Sequence, residues 1–258
     1  SEDIDRVTRT AILSDIHGNL SALEAVLADV ESQKVDRIVC LGDVVGYGPE
    51  PCACLDTVMG FNFCVLGNHD SSSLFDPEGF NVAAEQAIFW TRSQLEETGD
   101  DPGASRKRIE YLCALPRTVR EDHWLFVHGS PRGPTNEYVF PEDAQNTKKM
   151  EKLFSLVPRV CFQGHTHVPG VFTMEQRFVR PADTGTGYSL ADPNAKLMIN
   201  VGSVGQPRDG DPRSCYAIVE PDLVMFRRVE YDIERTVQAI EKEAELDNFL
   251  GYRLREGR

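Results

Sequence analysis

Short apolar runs recur along the chain, and each leads into a glycine or a cluster of metal-type polar residues. Thr10 to Leu13 leads into Ser14-Asp15, Arg37 to Leu41 into Gly42-Asp43, and Phe61 to Leu66 into Gly67-Asn68-His69. Trp124 to Val127 leads into His128-Gly129, and Arg159 to Phe162 into Gln163-Gly164-His165. Brief apolar runs bounded by turn residues predict buried strands. After the first run, Leu20, Leu23, Val26, Leu27 and Val30 return at helical spacing, which makes the opening a strand–loop–helix unit. In α/β sheets the carboxyl ends of the strands line the ligand crevice, and glycine lets the chain turn sharply there. The five polar strand ends are therefore expected to converge on one edge of a sheet.

Between residues 71 and 115 the texture is helical, with Ala83 to Trp90 and Arg106 to Leu115 separated by the turn sequence Gly99-Asp100-Asp101-Pro102-Gly103. We read this stretch as a helical excursion near the mouth of the site. Beyond residue 167 the pattern becomes β-like: Val171 to Thr173, Arg177 to Val179, Lys196 to Asn200, Ser214 to Val219 and Leu223 to Phe226. A last helix is predicted from about Ile233 to Phe249. The expected fold is α/β, a four-layer α/β/β/α sandwich of two packed mixed sheets flanked by helices, the later strands forming the second sheet. No linker or repeat divides the chain, so residues 1–258 are read as a single domain.

Composition adds three constraints. No apolar run approaches the ~18 residues of a membrane span, and Ser1 to Asp5 lacks the basic and apolar regions of a secretory leader. The seven cysteines, among them Cys40, Cys64 and Cys161 in apolar runs, read as small core residues. Cys52 and Cys54 are too closely spaced for a zinc ribbon or a redox pair. A reduced, cytoplasmic location is the expectation. The net charge of −14 opposes non-specific binding to a nucleic acid, and no membrane partner is expected. Oligomeric state is not legible.

The chemistry lies at the strand ends. Asp15, His17, Asp43, Asn68, His128, His165 and His167 are the nitrogen and oxygen donors of a two-metal centre. Such a centre needs one ligand shared between cations about 3.5–4 Å apart, with room left for water and substrate. A carboxylate bridges readily, so Asp43 is the expected bridge. Asp15 and His17, two positions apart on an extended strand end, point to one side and with His167 would hold the first cation. Asn68, His128 and His165 would hold the second. The absence of thiolate favours Mn, Fe, Ni or Zn over soft Cu(I) or a structural zinc without choosing among them; Mn is the expected metal, with Fe, Ni or Zn as alternatives. His123 belongs to no cluster and is expected on the surface.

Asp15-x-His17, Gly42-Asp43, Gly67-Asn68-His69-Asp70, His128 and Gly164-His165-x-His167 resemble the five blocks of the calcineurin-like metallophosphoesterase superfamily. Asn200-Val201-Gly202-Ser203 through Arg208 resembles the Asn-Pro-Gly-Ser block of its compact prokaryotic phosphodiesterases. The resemblance implies two metals, a bridging hydroxide as nucleophile and in-line attack on phosphorus. It makes His69 the catalytic group that contacts the phosphate or the leaving oxygen. Phosphoprotein phosphatases of the superfamily carry Gly-Asp-x-x-Asp-Arg-Gly at the second block. Here Gly46 and Tyr47 replace the Asp and the Arg, which disfavours phosphoprotein dephosphorylation and leaves Asp70 as the nearest carboxylate able to orient His69. Tyr47, Arg132, Arg208 and Arg213 are candidate substrate contacts.

The expected activity is thus a metal-dependent phosphodiesterase acting on small phosphate esters. A phosphomonoesterase or nucleoside-polyphosphate hydrolase is the alternative within enzymes. A non-catalytic interaction module on the same fold is the alternative outside them, but such a module is expected to lose ligands that this chain keeps.

Overall fold

The computed structural model describes residues 8–97 and 101–258. Two six-stranded sheets lie face to face. The first contains β1 (Thr10–Leu13), β2 (Arg37–Cys40), β3 (Phe63–Cys64), β9 (Tyr188–Ser189), β11 (Ser214–Glu220) and β12 (Leu223–Val229), in the order β3-β2-β1-β11-β12-β9. The second contains β4 (Thr118–Glu121), β5 (Trp124–Val127), β6 (Val160–Gln163), β7 (Gly170–Thr173), β8 (Arg177–Val179) and β10 (Leu197–Asn200), in the order β4-β5-β6-β10-β7-β8. Both sheets are mixed. β1, β2 and β3 are parallel neighbours while β11 runs antiparallel to β1; β5, β6 and β10 are parallel while β7 runs antiparallel to β10.

Strand alternation sorts the apolar side chains into layers. Ile12, Val39, Phe126, Phe162, Val171, Ile199 and Ala217 form the core between the sheets. On the outer face of the first sheet, Ala11, Leu13 and Cys40 meet Leu23 and Val26 of α1 (Leu20–Ser32) and Leu55 of α2 (Pro51–Val58). On the outer face of the second, Cys161, Phe172 and Met198 meet Met150, Leu153 and Phe154 of α6 (Thr147–Leu156). The four-layer sandwich therefore follows from the period-two pattern of the strands and the amphipathic helices. Asn19, Asn146 and Asp232 mark helix starts by accepting from Ala22, Lys149 and Arg235 backbone N–H groups, a first-turn satisfaction that these short side chains favour.

Three expectations are corrected. The second sheet is not built from the later strands alone: β9, β11 and β12 join the first sheet, and β4, β5 and β6 belong to the second. The polar strand ends consequently come from two sheets rather than one edge. The excursion contains α3 (Asn68–Leu74), α4 (Val82–Glu96) and α5 (Pro102–Ala114). Pro102 and Gly103, read as turn residues, open α5 after an Asp101 cap; Gly99 and Asp100 lie outside the described residues, as do Ser1 to Asp5. The last helix stops at Lys242 as α7 (Ile233–Lys242), and α8 (Phe249–Tyr252) follows a turn. That break lets Leu246 and Leu250 pack with Ile240 against Tyr47. Among the described residues no helix is long and apolar enough to cross a membrane, and all seven cysteines are unpaired.

Candidate metal centre

Asp15, Asp43, Asn68, His128, His165 and His167, with His17, meet between the carboxyl ends of strands from both sheets, and every one is buried. Asp15, His17 and His167 form one cluster of possible ligand atoms, and Asp43, His128 and His165 another. Asp43 also groups with His17 and His69. Its Oδ2 lies 3.6 Å from His17 Nε2 and 3.2 Å from His128 Nε2, so one carboxylate oxygen faces both clusters. Asn68 Oδ1 lies 3.0 Å from His128 Nε2, on the side of the second cluster.

The local backbone is unusual. Asp15, His17, Asp43, His165 and His167 all adopt left-handed conformations, with φ between 50° and 67°. Such values are uncommon outside glycine and store strain that the surroundings must hold in place. They also correct the sequence argument: Asp15 and His17 reach one side through a left-handed turn, not through the pleat of an extended strand. The Asn200 block secures these turns. Asn200 Nδ2 donates to the Gly164 carbonyl at 2.6 Å, and Ser203 Oγ donates to the Asp15 carbonyl at 2.8 Å. Gly164 has no room for a side chain, since a Cβ there would sit 2.1 Å from Ser14 Oγ and 2.4 Å from Asp15 Oδ2.

The hydrogen bonds around the cluster decide what it can bind. Nδ1 of His17, His128 and His167 faces the carbonyl oxygens of Val45, Leu41 and Gln206 at 3.2, 2.8 and 2.6 Å. A carbonyl can only accept, so these rings carry the proton on Nδ1 and turn the Nε2 lone pair inward. His165 is reversed, with Nε2 facing the Asn136 carbonyl at 3.3 Å and Nδ1 inward. The carboxylates are divided the same way. Asp15 Oδ2 accepts from Ser14 Oγ and the His165 N–H, while its Oδ1 accepts no hydrogen bond and faces His167 Nε2 at 3.1 Å. Asp43 Oδ1 accepts from the His69 N–H and leaves Oδ2 to the cluster.

The result is a buried set of acceptors facing one another: His17 Nε2 and His167 Nε2 are 3.2 Å apart, and His128 Nε2 and His165 Nδ1 3.1 Å. Lone pairs at that separation repel unless a cation sits among them. Fixing each imidazole through its outer N–H is how proteins orient histidine ligands. The donor set therefore fits divalent metals. Electrostatics agree on the demand for positive charge. Burial opposes a proton on His128, yet the Asp43 and Asp15 carboxylates outweigh it and raise its pKa to about 10. Burial, then His128, lowers His165 to about 3, and burial, then Arg208, lowers His167 to about 4.

His69 stands apart. It lies in the first turn of α3; its Nδ1 is buried without a hydrogen-bond partner, and among the described residues none is recorded for Nε2. Burial holds its pKa well below the usual histidine range. Its ring is held by aromatic edges and faces: Tyr47 at 4.4 Å, His17 at 4.8 Å and Phe80 at 4.9 Å between centroids. Asp70 does not orient it. The Asp70 carboxylate accepts backbone N–H groups of Asp43, Val44, Val45 and Gly67, pinning the Asp43 loop instead. Burial, then the neighbouring Asp43 charge, raises Asp70 to about 6. At Gly46 a Cβ would lie 2.4 Å from His69 Nδ1, so this chain packs His69 onto bare backbone at that position.

The four candidate substrate contacts separate. Tyr47 lies against His69 and His17. Arg208 stands over the Tyr47 ring at 5.7 Å and bonds Gln206 Oε1. Arg132 pairs with Glu137 on the surface, and Arg213 pairs with Asp211 at 2.6 Å beside Asp209 and Arg228. Sequence reasoning missed Phe80 and Tyr138; the Tyr138 ring stacks on His165 at 3.6 Å. Neither sits in a polar motif, so only the packing shows them. His123 is exposed between β4 and β5.

This geometry agrees with the comparisons. A family model for the calcineurin-like phosphoesterase superfamily domain matches residues 9–222. The chain belongs to that superfamily, whose members use a binuclear metal centre. An uncharacterized protein of Methanocaldococcus jannaschii is 35% identical over 258 residues, spanning 96% of this chain and 98% of the relative. The crystal structure of a metallophosphoesterase from Sphaerobacter thermophilus superposes with a TM-score of 0.82 at 37% identity, over 98% of this chain and 100% of that one. A hypothetical protein from Pyrococcus horikoshii shares the fold, with a TM-score of 0.76 at 21% identity over 97% and 98% of the two chains.

Proposed function

We propose that the protein is a metal-dependent phosphodiesterase acting on small phosphodiesters, with two divalent cations at the acceptor cluster and manganese as the favoured metal. Asp15, His17 and His167 would hold one cation, Asn68, His128 and His165 the other, and Asp43 would bridge them. The cations would supply Lewis acidity toward a phosphoryl oxygen and acidify water. The remaining work falls to side chains. His69, with both ring nitrogens uncommitted, is placed to donate its N–H to a phosphoryl or leaving oxygen. Tyr47 and Phe80 hold that ring in position and exclude water from one side of it.

The observation that carries the diester reading is the pair Gly46 and Tyr47 beside the bridge. An arginine at this place would add a positive charge suited to the dianion of a phosphate monoester. Here an aromatic ring packs on His69 instead, which suits the single charge of a diester. The test is a parallel assay of bis(p-nitrophenyl) phosphate, p-nitrophenyl phosphate and a phosphopeptide with Mn, Ni, Fe and Zn. Faster turnover of the diester supports the proposal. Inactivity on it with all four metals, or faster turnover of either monoester, overturns it.

A further inference from the structure

Tyr138 and Phe140 form an exposed aromatic pair against the metal centre. Their ring planes differ by 4° with centroids 5.3 Å apart, and the Tyr138 ring stacks on His165 at 3.6 Å and 20°. Each of the two residues is 41% exposed. Flat rings in contact stand about 3.5 Å apart, so a 5.3 Å separation of parallel rings means a lateral slide of about 4 Å. The two rings therefore cover each other only in part, and open ring face is left beside a candidate metal ligand. Other exposed rings are covered differently: arginines lie over Phe89, Phe249 and Tyr252. Phe75 is also bare, but among the described residues no second ring stacks on it.

The backbone holds this pair in place. Between β5 and α6, Val139 is buried in the outer core with Leu153 and Phe154 and supplies the packing of the segment, so the two rings are not what anchors it. The Phe140 N–H donates to Asp143 Oδ2 at 2.8 Å. Lys149 Nζ joins that carboxylate oxygen, at 2.7 Å, to the Tyr138 carbonyl, at 2.8 Å. The rings are thus carried on a backbone fixed before any ligand arrives, which lowers the ordering cost of binding.

We propose that Tyr138 and Phe140 form a stacking platform for a nucleobase, so that the substrate is a nucleotide ester whose phosphate meets the metal centre while its base lies on the open ring faces. The platform rests on the phosphodiesterase reading for its meaning in turnover and narrows the small phosphodiesters to those carrying a nucleoside. Its ligand binding is measurable without turnover. Every base has a π-face, and stacking on an aromatic side chain needs no charge. That suits a chain of net charge −14, which can hold the base without a basic patch.

The experiment is calorimetric titration of the metal-loaded protein with adenosine monophosphate and with ribose 5-phosphate, which share sugar and phosphate and differ in the base. It is run on the unmodified chain, Phe140→Leu and Phe140→Tyr. The expected preference for adenosine monophosphate is about tenfold, the worth of one base–aromatic stack. It should fall to about twofold in Phe140→Leu, which keeps apolar bulk without a ring, and be kept in Phe140→Tyr. Equal affinities in the unmodified chain, an undiminished preference in Phe140→Leu, or a preference lost equally in Phe140→Tyr would overturn the platform. Turnover of bis(p-nitrophenyl) phosphate is followed on the same samples. Binding preference without any turnover sinks the phosphodiesterase reading and leaves the platform standing; turnover without the preference does the reverse.

Discussion

Replacing Gly46 by Ala isolates the packing that holds His69. The three nearest atoms to a Cβ at this position all belong to His69, at 2.4, 3.0 and 3.1 Å, and the backbone φ is +90°. Ordinary contact begins at 3.4 Å, so the ring must retreat by about 1 Å along the Cβ–Nδ1 direction. The left-handed backbone adds about 1–2 kcal/mol of strain, and the overpacking about 1–3 kcal/mol. Together they predict a loss of about 2–5 kcal/mol, seen as a Tm lowered by roughly 5–15 °C. A 1 Å misplacement of a reacting group costs on the order of 100-fold in rate. None of those nearest atoms belongs to Asp15, Asp43 or His128, so metal content should stay at the unmodified level. The assay is kcat on bis(p-nitrophenyl) phosphate beside Tm and metal content by mass spectrometry. A Gly46→Ala protein with unchanged kcat would refute the claim that Gly46 positions His69, and an unchanged Tm would refute the clash itself.

Other outcomes follow from the same geometry. His69→Ala should lower kcat by about 10²–10⁴-fold while metal content, read on the same sample, is retained; equal activity removes His69 from the chemistry. Arg132→Met and Arg213→Met should leave KM for the diester unchanged, because both arginines sit in surface ion pairs; a raised KM in either would show that its loop reaches the substrate. Asp29 joins α1 to the first sheet by accepting from Tyr216 Oη and the Arg227 guanidinium. Burial opposes its ionisation, but those bonds prevail and its pKa is lowered. A depressed carboxylate contributes stability that is present above its unfolded pKa of about 3.9 and is lost as pH falls through its folded pKa. Acid melting curves of Asp29→Asn should therefore fall less steeply below that pH than those of the unmodified chain, and parallel curves would contradict the linkage.

The strand ends were legible because buried apolar runs such as Ile38-Val39-Cys40-Leu41 stop abruptly at polar side chains, and no core packing explains a His or Asp there. Those polar residues do come together. Which sheet each strand joins was not legible. β1 pairs with β11, Thr10 opposite Val219, and nothing in either run encodes a partner so distant in the chain. The left-handed φ values of Asp15 and His165 also leave no mark in composition, since Asp and His sit as readily in ordinary turns. The end of α7 at Lys242 escaped notice because no Gly or Pro stops it; tertiary packing of Leu246 and Leu250 against Tyr47 does. Phe80 and Tyr138 were missed for a related reason. Each lies in an ordinary-looking segment that only the folded chain brings to His69 or His165.

The most direct measurement is metal titration of chelator-stripped protein, with bound metal and turnover of bis(p-nitrophenyl) phosphate followed together. A carboxylate oxygen shared between two histidine clusters predicts that turnover appears only as the second equivalent of manganese binds, and that Asp43→Asn weakens both equivalents. Full turnover with a single equivalent, or two tightly held equivalents with no turnover of the diester, would contradict a binuclear phosphodiesterase.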